Sequence, residues 1–163
     1  MDTYQKLRPS PPVPDAEMCR CADIQAAILM PHLTENPLTC MECKGEIPPE
    51  RVHLEPDVAE SLASWNHFFG AFETLWLDSG EYEEWARSEL EDPASPVTVR
   101  GLELVRQLGA APTYYLHLFQ DTTRETWEAP TSCPRCGSAP ARVLGWLVCE
   151  TCRREIGGAV RAV

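Results

Sequence analysis

Cys133-Pro-Arg-Cys136-Gly137 and, after twelve intervening residues, Cys149-Glu-Thr-Cys152 decide how this chain is read. Two intervening residues let both sulfurs of a tight turn face one point. Two such knuckles supply the four soft donors that a tetrahedral zinc ion takes. Gly137 follows its knuckle where the backbone must turn to aim amide N–H groups at the thiolates. Between the pairs, Ala141 to Val148 contains Val143, Leu144, Trp146, Leu147 and Val148, which predicts one strand rising from the first knuckle to the second. Glu155 to Val163 is expected to return as another. Residues 130–163 therefore read as a zinc ribbon with Cys133, Cys136, Cys149 and Cys152 as ligands.

Four further cysteines lie upstream, in residues 18–54, as Cys19-x-Cys21 and Cys40-x-x-Cys43. Eighteen residues separate the pairs, a spacing found in paired zinc sites. They predict a second zinc ion held by Cys19, Cys21, Cys40 and Cys43. The single residue between Cys19 and Cys21 constrains both sulfurs, so His32 or His53 stands as an alternative to one of them. A crossed pairing of Cys40 and Cys43 with a C-terminal knuckle stays open as well. Pro31, Pro37, Pro48 and Pro49 break long elements here; Asp23 to Met30 is expected as one short helix, the rest as loop and knuckle. Closed four-cysteine sites are structural, whereas catalytic zinc keeps an open position and uses histidine or carboxylate.

Residues 55–122 predict a helical body ending in a strand. Val58, Leu62, Trp65, Phe69, Phe72 and Trp76 recur at steps of three and four, one stripe of a helix over 57–78 capped by Asp57 and followed by Gly80. A second helix over Glu81 to Leu90 is expected to turn Tyr82, Trp85 and Leu90 towards the first. A third starts at Ser95-Pro96, carries Leu102, Val105 and Leu108, and stops at Gly109. Pro112 to Phe119 reads as a strand, and Gln120 to Ser132 as a polar linker. Residues 1–17, with Pro9, Pro11, Pro12 and Pro14, read as a disordered proline-rich lead. The expected fold class is α+β: a small three-helix plus short-sheet body with a C-terminal zinc ribbon and a second N-terminal cysteine zinc site.

Hydrophobic residues make up 44% of the chain and charged ones 24%, enough for a packed core. Met1 to Lys6 shows no basic segment leading into an apolar one, and no run of about 18 apolar residues occurs. A reducing, cytoplasmic setting without a membrane partner is the expectation, and there paired cysteines hold metal rather than disulfides. Net charge is −11, and Glu55 to Asp92 carries eleven acids against the single base Arg87. Residues 130–163 are instead basic, through Arg135, Arg142, Arg153, Arg154 and Arg161.

Phe72 to Gly80, Ser95, Gly101-Leu-Glu-Leu104, Pro112-Thr-Tyr-Tyr115, the C-terminal cysteine pairs, and Cys40-Met-Glu-Cys43 followed by Ile47-Pro48 together resemble an uncharacterised bacterial family. That family is described as zinc-ribbon-containing and nucleic-acid-binding, the second label being inferred from its ribbon. The resemblance covers roughly residues 38–155 and implies zinc binding and an α+β body. Cys19-x-Cys21 has no counterpart in it.

Three functions follow as expectations. The first is a non-enzymatic interaction or regulatory protein that meets a basic protein partner through its acidic segment, as an inhibitor or immunity-type protein does. The second, less favoured, is nucleic-acid binding by Arg135, Arg142, Arg153 and Arg154 with Trp146, which the net charge and the lack of lysine after Lys44 oppose. The third is an enzyme using His67 or His117. Both sit in core-like patterns, and no phosphate loop, nucleophile elbow or metalloprotease motif is present, so no catalytic residue is assigned.

Overall fold

The computed structural model describes residues 13–157. The first twelve residues of the proline-rich lead and the last six of the expected return strand lie outside them. Six strands form one mixed sheet: β1 (Ala26–Leu29), β2 (Leu38–Cys40), β3 (Thr113–His117), β4 (Ala141–Val143), β5 (Trp146–Cys149) and β6 (Arg154–Gly157). Their order is β2-β1-β3-β6-β5-β4, with β1–β3 and β3–β6 parallel and the other pairs antiparallel. Helices α1 (Pro56–Asp78), α2 (Glu83–Glu91) and α3 (Pro96–Gln107) fill the crossover between β2 and β3. The α+β expectation holds.

Alternation along the central strands creates two cores. Ala27 and Leu29 of β1, with Tyr114 and Leu116 of β3, pack under Leu62, Trp65, Phe69, Leu90, Val97, Leu102 and Val105 of the helices. Ala26, Ile28 and Tyr115 point the other way, onto Met41, Trp146 and Val148. No helix is needed there, because the Trp146 Nε1–H donates to the Met41 carbonyl at 2.8 Å, joining β5 to the turn after β2. The C-terminal hairpin thus closes the second face of the sheet it belongs to.

The stripe expected for the first helix is present, with Leu62, Trp65 and Phe69 buried and Trp76 edge-on to Phe119 at 4.9 Å. Its cap differs: Glu55 is the N-cap, Pro56 occupies the first turn, and Asp57 lies inside the helix. Ser95 caps α3 as expected, its hydroxyl accepting from Thr98 N–H at 3.4 Å. Gly80 and Gly109 both take positive φ beyond their helices.

Four expectations need correction. Asp23 to Met30 is not a helix; its core is strand β1. Ala26-Ala-Ile-Leu29 is a short run buried on both faces between two neighbours, and a helix and a central strand look alike over such a run. Ala141 to Val148 is two strands, because Leu144 (φ 49°) and Gly145 (φ 87°) make the two-residue turn with both φ positive that fits a hairpin. Tyr82 does not bury against α1 and is 55% exposed; Trp85 is 49% exposed, yet its ring packs 5.4 Å from Phe72 of α1, and Leu90 is buried as expected. His67 is also on the surface, 2.6 Å from Glu35, rather than in the core. Among the described residues, no helix is long and apolar enough to cross a membrane.

Gly101 marks the tightest approach of α3 to its neighbours. A Cβ there would lie 2.6 Å from Leu116 Cδ1 and 3.0 Å from Trp65 Nε1. Overpacking costs about 1–3 kcal/mol, of which alanine's helix propensity returns about 1. Gly101→Ala is therefore expected to lower stability by up to about 2 kcal/mol, read as an earlier midpoint in urea denaturation.

Candidate metal centres

Each cysteine of the chain joins one of two groups of four. In each group, Cys19, Cys21, Cys40, Cys43 and Cys133, Cys136, Cys149, Cys152, the sulfurs lie within 4.8 Å of one another. All eight are free of disulfides. Cys21 and Cys40 sulfurs stand 3.9 Å apart, and Cys136 and Cys149 sulfurs 3.5 Å. A tetrahedron of thiolates about 2.3 Å from a metal has edges of about 3.8 Å, so both groups have the right size for one ion. The grouping answers the alternatives left open by the sequence. His32 is engaged elsewhere, its Nε2 2.6 Å from Thr39 Oγ1, and neither it nor His53 enters a cluster. No cysteine crosses between the pairs.

The CxxC turns are built alike. Lys44 N–H donates to Cys40 O at 2.9 Å and Cys40 N–H to Gly45 O at 2.9 Å; Gly137 N–H donates to Cys133 O at 2.8 Å and Cys133 N–H to Ser138 O at 2.9 Å. The residue after each second cysteine is left-handed: Lys44 (φ 63°), Gly137 (φ 71°) and Arg153 (φ 53°). For lysine and arginine that conformation costs about 1–2 kcal/mol, a strain that gathering four sulfurs must outweigh. Cys19-x-Cys21 is different. It lies on an extended segment held by Cys19 N–H to Glu46 O (2.7 Å) and Glu46 N–H to Glu17 O (3.0 Å).

Electrostatics follow the same geometry. Burial chiefly pushes the Cys19 thiol up. A hydrogen bond with Cys43, then burial, raises Cys21. For Cys43 burial works against the thiolate, yet the Gly45 N–H and bonds from the three other thiols outweigh it and its pKa falls. In the second cluster Cys136 is lowered to about 6, first by the Ser138 side chain and then by the Ser138 N–H. Burial raises Cys149, and burial with bonds to Cys136 and Cys149 raises Cys152 to about 12. In each cluster the thiol whose pKa is lowered is the second cysteine of a CxxC turn.

Each cluster also has an arginine that sequence reasoning missed. Arg51 donates to the carbonyls of Cys19 (3.0 Å), Cys21 and Ala22, with Nη1 3.7 Å from Cys19 Sγ. Arg154 is fully buried in β6, beside Cys149 in register. Its Nη2 donates to Pro93 O at 3.2 Å, while Nε and Nη1 have no partner. Burial depresses the guanidinium, against the pull of Cys152, Cys133 and Cys149. Among the described residues no carboxylate pairs with it. Its place next to Arg153 suggested a phosphate-facing surface; strand alternation sends it inward.

A family model described as a domain of unknown function (DUF2310) matches residues 22–119, more than half of the chain. The chain belongs to this DUF2310 family. The DUF2310 match spans β1 to β3 with all three helices and Cys40 and Cys43, and it stops before the C-terminal cysteines. No curated protein and no solved structure matches the chain.

Gly45 allows the closest packing in the N-terminal centre. A Cβ on it would lie 2.8 Å from both Cys19 N and Glu17 O, backbone atoms that cannot swing aside. Gly45→Ala is expected to displace Cys19 from its cluster and remove one metal ion per chain. Elemental analysis of the purified variant measures this; unchanged metal content would contradict the packing argument.

Proposed function

We propose that this DUF2310 protein is a non-enzymatic, zinc-stabilised interaction protein that binds a basic protein partner through helices α1 and α2. The observation that carries the reading is an exposed apolar group set among acids. Leu77 (61% exposed), Tyr82 and Trp85 lie close in sequence to Asp78, Glu81, Glu83 and Glu84, all on the surface. Aromatic anchors inside a charged rim are the composition of a protein-binding surface, and the acids would speed association with a basic partner. Arg87, the one base of the segment, is occupied by Glu84 and lies 3.6 Å from Asp121. An inhibitor or immunity-type protein would use such a face.

Zinc fits the two clusters best among metals, since four thiolates in a tetrahedron are its preferred closed structural set. The two bound ions would leave each cluster with a charge of about −2, which gives buried Arg154 its missing counter-ion and Arg51 a second one. Nucleic-acid binding is less well supported. Arg154 and Trp146, two of the groups that would have formed its surface, are buried.

Two tests follow. Elemental analysis should find two zinc ions per chain, and Arg154→Met should weaken zinc retention by the C-terminal cluster about 10–100-fold, the usual effect of losing a group that supports a metal ligand. Equal retention in chelator competition would remove the counter-ion argument. For the partner, a mixture of basic proteins passed over immobilised chain should leave one retained at low salt and released at high salt. Leu77→Ser with Tyr82→Ser should abolish that retention without changing the melting temperature. Retention unaffected by the double substitution would overturn the assignment of this face.

A further inference from the structure

On the face of the sheet away from the helices, β3 and β6 run parallel and place His117 opposite Glu155. His117 Nδ1 lies 2.8 Å from Glu155 Oε2, with the carboxylate 2% exposed and the imidazole 26%. The pair stands in a cleft of about 460 Å³ walled by Met30, Leu118, Trp127, Trp146 and Leu147. That volume is in the range of small-molecule sites, and a mainly apolar wall with few convergent polar groups is their usual make-up. It also lies beyond the carboxyl ends of parallel strands, where such sheets commonly bind ligands.

The polar chemistry narrows what fits. The Glu155 carboxylate has only acceptor atoms, so in the neutral imidazole it takes the Nδ1–H of His117 and leaves the lone pair on Nε2. Among the described residues Nε2 has no hydrogen-bond partner, and it is not among the buried atoms lacking one, so it is open to the cleft. An acceptor there calls for a donor on the ligand. Glu155 behind the ring and the acidic background of the chain disfavour an anion. Trp146 is buried and has spent its own N–H on Met41, so it closes the inner end of the cleft and offers no donor. Trp127, 40% exposed, offers its ring at the rim. An indole face packs well against a planar aromatic partner, offset or edge-on.

We propose that this cleft binds a neutral aromatic molecule carrying a hydroxyl or ring N–H, which donates to His117 Nε2 while its ring lies against Trp127. Glu155 is a positioning residue that fixes the imidazole's tautomer and orientation. The site is separate from the acidic face of α1 and α2 and stands or falls independently of it.

The probe is 2-naphthol, with 2-methoxynaphthalene as the matched molecule lacking the donor. Both are titrated into the zinc-loaded full chain with tryptophan fluorescence as readout. Saturable binding of 2-naphthol at least tenfold tighter than of the ether is expected, and Trp127→Ala should weaken both. His117→Phe should remove the difference between the two probes. Because that substitution can also perturb folding, long-range ¹⁵N–¹H spectra of the unaltered protein provide a second readout. There 2-naphthol should move the His117 Nε2 signal and the ether should not. Equal affinity for the two probes, no saturation by 2-naphthol up to millimolar concentration, or an unmoved His117 signal at saturation would each overturn the proposal.

Discussion

Four sulfurs held within a few ångströms of one another resist being brought together, because each thiolate repels the next and each buried thiol loses water. This protein accepts that constraint twice, and much of its architecture answers it. Left-handed Lys44 and Arg153 turn their chains sharply enough to present both cysteines of a pair. Gly45 lets the Cys19 segment lie directly on the Cys40 turn. Arg51 and Arg154 bring positive charge to the two centres, one through backbone carbonyls at the surface and one sealed inside the sheet.

The two centres are tied into a single sheet. Cys40 ends β2 at one edge and Cys149 ends β5 near the other, with β1, β3 and β6 between them. The Trp146 to Met41 bond shortens that path, since Met41 sits inside the N-terminal cysteine turn and Trp146 in the C-terminal hairpin. The helices take no part in this closure. They cover the opposite face and leave the outer surfaces of α1 and α2 free for Leu77, Tyr82 and Trp85.

What could be read from sequence was what depends on local spacing. The cysteine turns, the α1 stripe, the Ser95 cap and the β3 run each fit within a few residues and appear where expected. What escaped depends on neighbours distant in the chain. Ala26-Ala-Ile-Leu29 is a strand because β2 and β3 flank it, which its own four residues do not reveal. Arg154 is internal because β6 pairs with β3 on one side and β5 on the other, whereas beside Arg153 it reads as part of a basic surface. The grouping of Cys19 and Cys21 with Cys40 and Cys43 followed from spacing, but the bridge between Met18 and Glu46 that seats their segment did not. Tyr82 failed for another reason: an aromatic residue fits a helix stripe or an exposed anchor equally well, and only packing tells which.

The parallel pairing of β1 with β3 has a consequence for how the chain is made. β1 is wholly apolar, and its second neighbour is encoded after all three helices. During synthesis from the N-terminus, the edge of β1 facing β3 stays open until residues 113–117 have emerged. The sheet cannot be completed before the last cysteine turn has followed. An early-made hydrophobic strand waiting for a late-made partner is exposed to mispairing with other chains. Protection of that edge, by metal capture at the first cysteine group or by a chaperone, falls within the interval between making the two ends of the chain.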